Sequence, residues 1–177
     1  MMSRIVRAAL AIGASAAVLV GSATTAYADQ STDNPSFVRL RAEHSDKCLT
    51  IENARIGSGA HAVQQSCSDD LDNQLFDLRS SGEGKISVWA KHSGRCLGSG
   101  SNTDWDVEQL WCIDNSGQHW RVILVEVAKD LYELRPAYTP VDCLTIPNFS
   151  QADGTRARTL KCTGDSNQRW RIQPATS

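Results

Sequence analysis

Three copies of one pattern fill most of this chain: a Cys-Leu pair, then a second Cys, then a Gln-x-aromatic triplet. The first copy reads His44-Ser45-Asp46-Lys47-Cys48-Leu49, then Val63-Gln64-Gln65-Ser66-Cys67, then Gln74-Leu75-Phe76. The second reads His92-Ser93-Gly94-Arg95-Cys96-Leu97, then Val107-Glu108-Gln109-Leu110-Trp111-Cys112, then Gln118-His119-Trp120. The third reads Val141-Asp142-Cys143-Leu144, then Thr159-Leu160-Lys161-Cys162, then Gln168-Arg169-Trp170. Self-similarity at a fixed period means an array of one supersecondary unit, none of which buries its apolar face alone. The repeat also sorts residues into those each copy needs in order to fold and those left for function.

The units read as short strands. Segments such as Phe37-Val38-Arg39-Leu40-Arg41, Ile86-Ser87-Val88-Trp89 and Tyr132-Glu133-Leu134-Arg135 mix β-branched, aromatic and alternating polar residues. Gly-, Ser- and Asn-rich stretches separate them, among them Ser80-Ser81-Gly82-Glu83-Gly84 and Asn115-Ser116-Gly117. No window shows a sustained helical period, so the expectation is an all-β barrel or sandwich. Within each unit the ring of the triplet (Phe76, Trp120, Trp170) supplies on the order of 150–250 Å² of surface to a core shared by all three. The Gln two residues earlier (Gln74, Gln118, Gln168) lies on the same side of an extended strand, where its amide is expected to satisfy backbone groups of the preceding turn. These six residues read as structural, joined by Leu49, Leu97 and Leu144.

Residues 1–28 have the form of a secretory signal peptide: Arg4 and Arg7, an apolar stretch from about Ala8 to Val20, then Ala26-Tyr27-Ala28. A single membrane anchor is the competing reading, but Gly13 and Ser15 interrupt the run, which is short of the ~20 residues a span needs. Export with cleavage near Ala28 is the expectation, and no second apolar run would hold the product in a membrane. Cleavage leaves 149 residues, one domain's length. Residues 29–35 form a loose polar lead, and 36–174 hold the repeats at about 36–79, 84–125 and 130–174. Loss of Arg4 and Arg7 leaves sixteen basic side chains against twenty acidic ones, a mild acidity that gives no footing to nucleic acid or an anionic membrane surface.

All six cysteines fall after residue 28, and an even count in an exported chain implies disulfides. Six cysteines allow fifteen pairings. If the three units fold alike, each closes its own bridge: Cys48–Cys67, Cys96–Cys112 and Cys143–Cys162. Loops of this size stabilise a fold by roughly 3 kcal/mol each on the chain-entropy account. Neither a Cys-x-x-Cys nor a His spacing supports zinc, and Asp69-Asp70-Leu71-Asp72 lacks the ligand spacing of a calcium loop.

In order and content, the three Cys-Leu motifs, the three following cysteines and the three Gln-x-aromatic triplets resemble the ricin-type lectin domain, the (QxW)₃ β-trefoil also used as a carbohydrate-binding module by bacterial secreted enzymes. The resemblance covers the chain beyond the signal. It departs at Phe76, where Trp is usual, and around Tyr138-Thr139-Pro140-Val141-Asp142, which carries one extra residue. It implies a β-trefoil with one disulfide per repeat. It also implies sugar sites in which an Asp follows Cys-Leu, an aromatic residue stands two before the second Cys, and an Asn precedes the triplet. At the Asp position this chain has Thr50, Gly98 and Thr145; at the aromatic position, Gln65, Leu110 and Leu160; at the Asn position, Asn73, Gly117 and Asn167. Each lost carboxylate removes a charge-assisted bond worth roughly 1.5–3 kcal/mol. The second unit is thus expected to be silent. The candidate carbohydrate contacts are Thr50, Gln65 and Asn73 in the first unit and Thr145, Asn148 and Asn167 in the third. Asp104-Trp105-Asp106 with Trp111 offers an alternative aromatic face, but the plainer expectation is one Trp packed in the barrel and the two acids solvated.

No Gly-x-Ser-x-Gly, His-Glu-x-x-His or Gly-x-Gly-x-x-Gly is present. His44 and His92 occupy equivalent repeat positions, which fold explains better than catalysis. The expectation is a secreted, monomeric, non-enzymatic protein needing no cofactor or metal, with glycans of galactose or xylose type as partners. The preserved lectin framework favours this reading. The lost Asp and stacking residues favour a rival from another class: a trefoil that binds a secreted protein, as a protease inhibitor or as an accessory partner of a toxin or enzyme.

Overall fold

Among the described residues twelve strands carry the fold, four for each copy of the pattern. The computed structural model describes residues 36–99 and 105–175; the expected signal peptide and the 29–35 lead lie outside the described residues. The first unit contributes β1 (Phe37–Ala42), β2 (Cys48–Ile51), β3 (Ala60–Gln65) and β4 (Phe76–Ser80). The second contributes β5 (Ile86–Ala90), β6 (Cys96–Ser99), β7 (Val107–Leu110) and β8 (His119–Glu126). The third contributes β9 (Leu131–Pro136), β10 (Asp142–Thr145), β11 (Arg158–Lys161) and β12 (Trp170–Pro174). Every connection among the described residues is a turn or a single 3₁₀ turn, such as Asp72–Gln74, Ser116–Gln118 and Ser166–Gln168 before the aromatic strand of each unit.

The first and fourth strands of the units pair antiparallel in the closed cycle β1-β4-β5-β8-β9-β12 and back to β1. Closure removes the sheet edges that short strands would otherwise expose. The second and third strands form three hairpins, β2–β3, β6–β7 and β10–β11. These meet one another through the β3–β7 pairing and the bridges Val63↔Arg156 and Asp106↔Arg158. A six-strand barrel with three hairpins across one end is a β-trefoil, as expected.

The core is built in threes. Phe76, Trp120 and Trp170 are fully buried, as are Leu49 and Leu144, with Leu97 nearly so. Leu40, Val88 and Leu134 add the layer contributed by β1, β5 and β9. Each Trp Nε1 donates to the carbonyl of its unit's Leu at 2.9 Å, Trp120 to Leu97 and Trp170 to Leu144. Phe76 has no such donor, so the first unit keeps the ring and loses the bond.

The three disulfides are Cys48–Cys67, Cys96–Cys112 and Cys143–Cys162, one per repeat. The buried Gln of each triplet grips the chain on both sides of the second Cys. Gln74 donates to Ser66 O at 3.0 Å and accepts from Ser68 N at 2.9 Å. Gln118 does the same with Trp111 O and Ile113 N, and Gln168 with Lys161 O and Thr163 N. The amide thus satisfies backbone groups beside the bridge, which is why a polar side chain is tolerated there.

The units are also locked to one another in rotation. Gln64 Nε2 donates to Ser150 O and Ala152 O, while its Oε1 accepts from Ser45. One unit on, Gln109 repeats this with Arg55 O, Gly57 O and Ser93. His44 reaches Ser150 O and His92 reaches Arg55 O, each at 3.0 Å. Thr159 closes the ring with its amide on Trp105 O at 2.9 Å. The His-Ser lead of each Cys-Leu motif is therefore a clamp on the neighbouring unit's loop. Gln64 and Gln109 stand at the same distance before the second Cys, which marks them as equivalents without naming their partners.

Candidate functional site

In the first and third units the loop after the second strand, together with its own hairpin, frames a shallow place on the surface, and the equivalent hairpin of the second unit differs. In the third unit Thr145 ends β10, and its buried hydroxyl donates to Cys143 O at 2.7 Å and accepts from Gln168 at 3.0 Å. Asn167 lies beside it and donates through Nδ2 to Ile146 O at 2.9 Å, while Ile146 N donates back to Asn167 O at 3.0 Å. Asn167 Oδ1 is buried and has no partner. A buried acceptor left open is rare, because it forfeits its hydrogen bond to water without replacement. Next comes the turn Pro147–Phe149, where Asn148 is exposed with φ 56°. Asn tolerates that left-handed backbone better than most residues.

Thr145, Asn148 and Asn167 are thus gathered around Ile146, though not as equals. Thr145 is spent inside the fold, Asn167 keeps one buried oxygen without a partner, and Asn148 alone faces solvent. A groove of about 530 Å³ opens alongside, lined by Pro147, Asn148, Ser150, Thr155, Arg156 and Arg158. Its arginines are held from behind by Asp106, which is 1% exposed; Arg156 Nη1 lies 3.1 Å and Arg158 Nε 2.9 Å from its carboxylate. Asp106 is therefore a buried anchor rather than a solvated loop acid, because two guanidinium partners offset the cost of burying its charge; Asp104, the other acid expected to be solvated, lies outside the described residues. Phe149, half exposed, packs edge-on to His44 with ring centres 6.2 Å apart.

The first unit repeats this arrangement with less surface. Thr50 is 1% exposed; its hydroxyl donates to Cys48 O at 3.1 Å and accepts from Gln74, also at 3.1 Å. Asn73 donates to Ile51 O at 2.7 Å. Gln65, half-buried, sits opposite Cys48 at the end of β3. The turn Glu52–Ala54 carries Asn53 at φ 54° where the third unit has Asn148, but Ala54 where it has Phe149.

In the second unit the place is filled. A Cβ added to Gly98 would stand 2.9 Å from Leu110 Cδ1 and 3.2 Å from Gln118 Cγ. Leu110, in the position opposite Cys96, packs onto the glycine and replaces the cleft with apolar contact. Contrary to the expectation that one tryptophan enters the barrel, Trp105 and Trp111 are 51% and 64% exposed. Arg95 stacks on Trp111 at 3.5 Å and donates to Ile56 O, so this ring belongs to a surface contact between two units. The barrel holds one ring per unit, Phe76, Trp120 and Trp170.

Among the described residues, Glu133, Cys143 and Cys162 are the one group of three metal-capable side chains that converge. The two sulfurs are joined in a disulfide and offer no thiolate to a metal.

The family model described as ricin-type beta-trefoil lectin domain-like matches residues 27–111, 72–160 and 116–177. Among solved structures, the designed three-fold symmetric protein ThreeFoil is 31% identical with a TM-score of 0.71, covering 77% of this chain and 97% of that one. The C-half of an earthworm R-type lectin, solved in complex with GalNAc, is 18% identical with a TM-score of 0.62 over 79% of this chain and 99% of its own. The Macrolepiota procera ricin B-like lectin, solved in complex with lactose, is 13% identical with a TM-score of 0.65 over 78% and 95%. At those two identities the likeness speaks for the fold alone. Two larger matched structures align over 17% and 31% of their own length. No curated protein matches.

Proposed function

The chain belongs to the ricin-type β-trefoil lectin domain-like family, and on that premise we propose that it is a secreted, non-catalytic carbohydrate-binding protein whose principal site is the third-unit groove. The observation that carries this reading is an open groove lined by the exposed Asn148, on a turn that Asn167 holds through Ile146. Asn148 offers an exposed amide there, both donor and acceptor for sugar hydroxyls. Phe149, one residue further on, offers the apolar ring face that Leu160 cannot supply as an aromatic partner would. The matched earthworm and Macrolepiota lectins were solved with GalNAc and with lactose, which makes galactose-type glycans the first ligands to try and xylose-type ones the second. The first unit, with Asn73 and Gln65 but no ring beyond Asn53, is the weaker site. Thr50 and Thr145 act behind the contact surface by holding Gln74 and Gln168.

With no carboxylate to accept two adjacent sugar hydroxyls, binding is expected to be weak and to depend on several sugar units at once. The test is retention of the folded, oxidised protein on immobilised galactose and on xylan, with free sugar as competitor. Competed retention that Asn148→Ala and Asn167→Ala abolish supports the reading. Passage through every matrix by protein of demonstrated fold overturns it.

A further inference from the structure

A second cavity breaks the threefold pattern at another place, on the flank of the barrel beside the second unit's disulfide. The strand pairings place Val38 opposite Phe76, Ile86 opposite Trp120 and Tyr132 opposite Trp170. The residues that follow, Arg39, Ser87 and Glu133, are therefore structural equivalents. In the first unit Arg39 fills this position and is 8% exposed; its Nη2 lies 3.1 Å from the Asp69 carboxylate and 3.4 Å from Ser68 O and Asp69 O. In the third unit Glu133 fills it, 3% exposed, close to the Cys143 and Cys162 sulfurs and bonded to Arg135. In the second unit Ser87 is too short, and a cavity of about 230 Å³ remains, walled by Ser87, Trp89, Cys96, Cys112, Asp114 and His119.

The loop acids indicate what the cavity is suited to hold. Two residues after the second Cys stand Asp69, Asp114 and Gly164. Where that position is an acid and the strand residue is long, in the first unit, the filler is a guanidinium. Where it is Gly, in the third, the filler is a carboxylate turned to its own strand's Arg135. The second unit keeps the acid and lacks the filler. Asp114 instead meets His119 Nε2 at 2.8 Å, with its side chain 89% exposed. Trp89 adds an indole to the wall, and such rings stack on guanidinium groups. It already carries Arg79 at 4.1 Å, a cation neutralised by Asp77 at 2.7 Å. The volume is below the roughly 300 Å³ at which drug-sized pockets begin, so it admits one side chain and little more. Trp111 and Ile113, the chain neighbours of Cys112 in the cavity wall, are each 64% exposed, and exposed apolar residues of this kind are common where a partner protein docks.

We propose that this second-unit cavity is a receptor for an arginine side chain presented by a partner polypeptide, doing from outside what Arg39 does within the first unit. The site lies apart from the third-unit groove, and either can fail alone.

The experiment is an NMR titration of the folded, oxidised protein with acetyl-Gly-Arg-Gly-amide, and with the citrulline peptide, which has the same shape and no charge. The arginine peptide should shift the Trp89 indole and His119 ring signals saturably, and the citrulline peptide should bind at least tenfold more weakly. Ser87→Arg installs the first unit's own occupant and should abolish the shifts. Asp114→Asn, on the exposed loop where the fold is not at risk, should weaken binding severalfold. Equal binding of the two peptides, undiminished binding in Asp114→Asn, or no saturable shift at Trp89 and His119 would overturn the proposal.

Discussion

The first and third units resemble each other more than either resembles the second, and the difference lies in what touches solvent rather than in what holds the chain. All three keep the disulfide, the buried Gln that grips both sides of it, and a ring in the shared core. Only the first and third set a threonine hydroxyl under that Gln and an Asn beside the following turn. The second has Gly98 and Gly117 in those places and fills the space with Leu110. A repeat can thus lose its polar lining without losing its fold, because the two sets of residues do not overlap. The same separation explains how the second unit can carry an unfilled cavity on its flank: Ser87 stands on a strand whose pairing with β4 and β8 does not need a long side chain.

The contrast can be broken most forcefully at the glutamines. Gln74→Leu strands Ser66 O and Ser68 N and takes a donor from the Thr50 hydroxyl, which keeps its bond to Cys48 O, whereas Gln118→Leu strands only Trp111 O and Ile113 N. At roughly 1–3 kcal/mol for each buried group left unpaired, partly relieved by relaxation, and about 1 kcal/mol for the lost bond to Thr50, losses of about 3 and about 2 kcal/mol are expected. Chemical denaturation of the two variants side by side measures the gap, and equal losses would erase the distinction between the units. A smaller effect is expected of Gly98→Thr, which restores the hydroxyl but drives its Cβ against Leu110; overpacking of this kind costs about 1–3 kcal/mol. Adding Leu110→Ala should recover part of that loss and open a third cleft, read as a shift of the thermal midpoint back towards the parent.

The smallest effect separates two joints between units. Lys47 donates to Asp153 across the joint between the first and third units, and this hydrogen bond, with help from Ser66, holds the Asp153 carboxyl below its ordinary value. A lowered carboxylate adds stability that is complete above the unfolded value of about 3.9 and is lost as pH falls through the folded one. At the next joint the equivalent cation, Arg95, reaches the Ile56 carbonyl instead, which does not titrate. Asp153→Asn should therefore lower the thermal midpoint slightly at pH 7 and not at all near pH 2. The group is solvent-exposed, so salt should shrink the difference.

Much of the fold could be read from the chain because its signals are local and repeated. The Cys-Leu pairs, the triplets and the turn residues recur at matching intervals, and three like units leave one economical pairing of the six cysteines. The role of Gln74, Gln118 and Gln168 followed from side-chain direction on a strand. The clamp by Gln64 and Gln109 did not, because its partners, such as Ser150 and Arg55, lie on another unit's loop and nothing in the spacing names them. Asp106 was legible only as an acid beside an exposed-looking turn, since Arg156 and Arg158, which bury its charge, stand fifty residues later. The candidate sugar contacts were located by position in the repeat, and position does not report orientation: Thr50 and Thr145 face inward, Asn148 outward. The unfilled flank of the second unit emerges only when equivalent side chains are compared in space.

The most direct test of the account is a residue-resolved NMR titration with methyl β-galactoside and with xylose, read unit by unit. The account predicts saturable shifts at Asn148, Phe149 and the Asn167 side-chain amide, weaker ones at Asn53 and Asn73, and none at Gly98 or Leu110. Shifts centred on the second unit, or none anywhere in a folded protein, would contradict it.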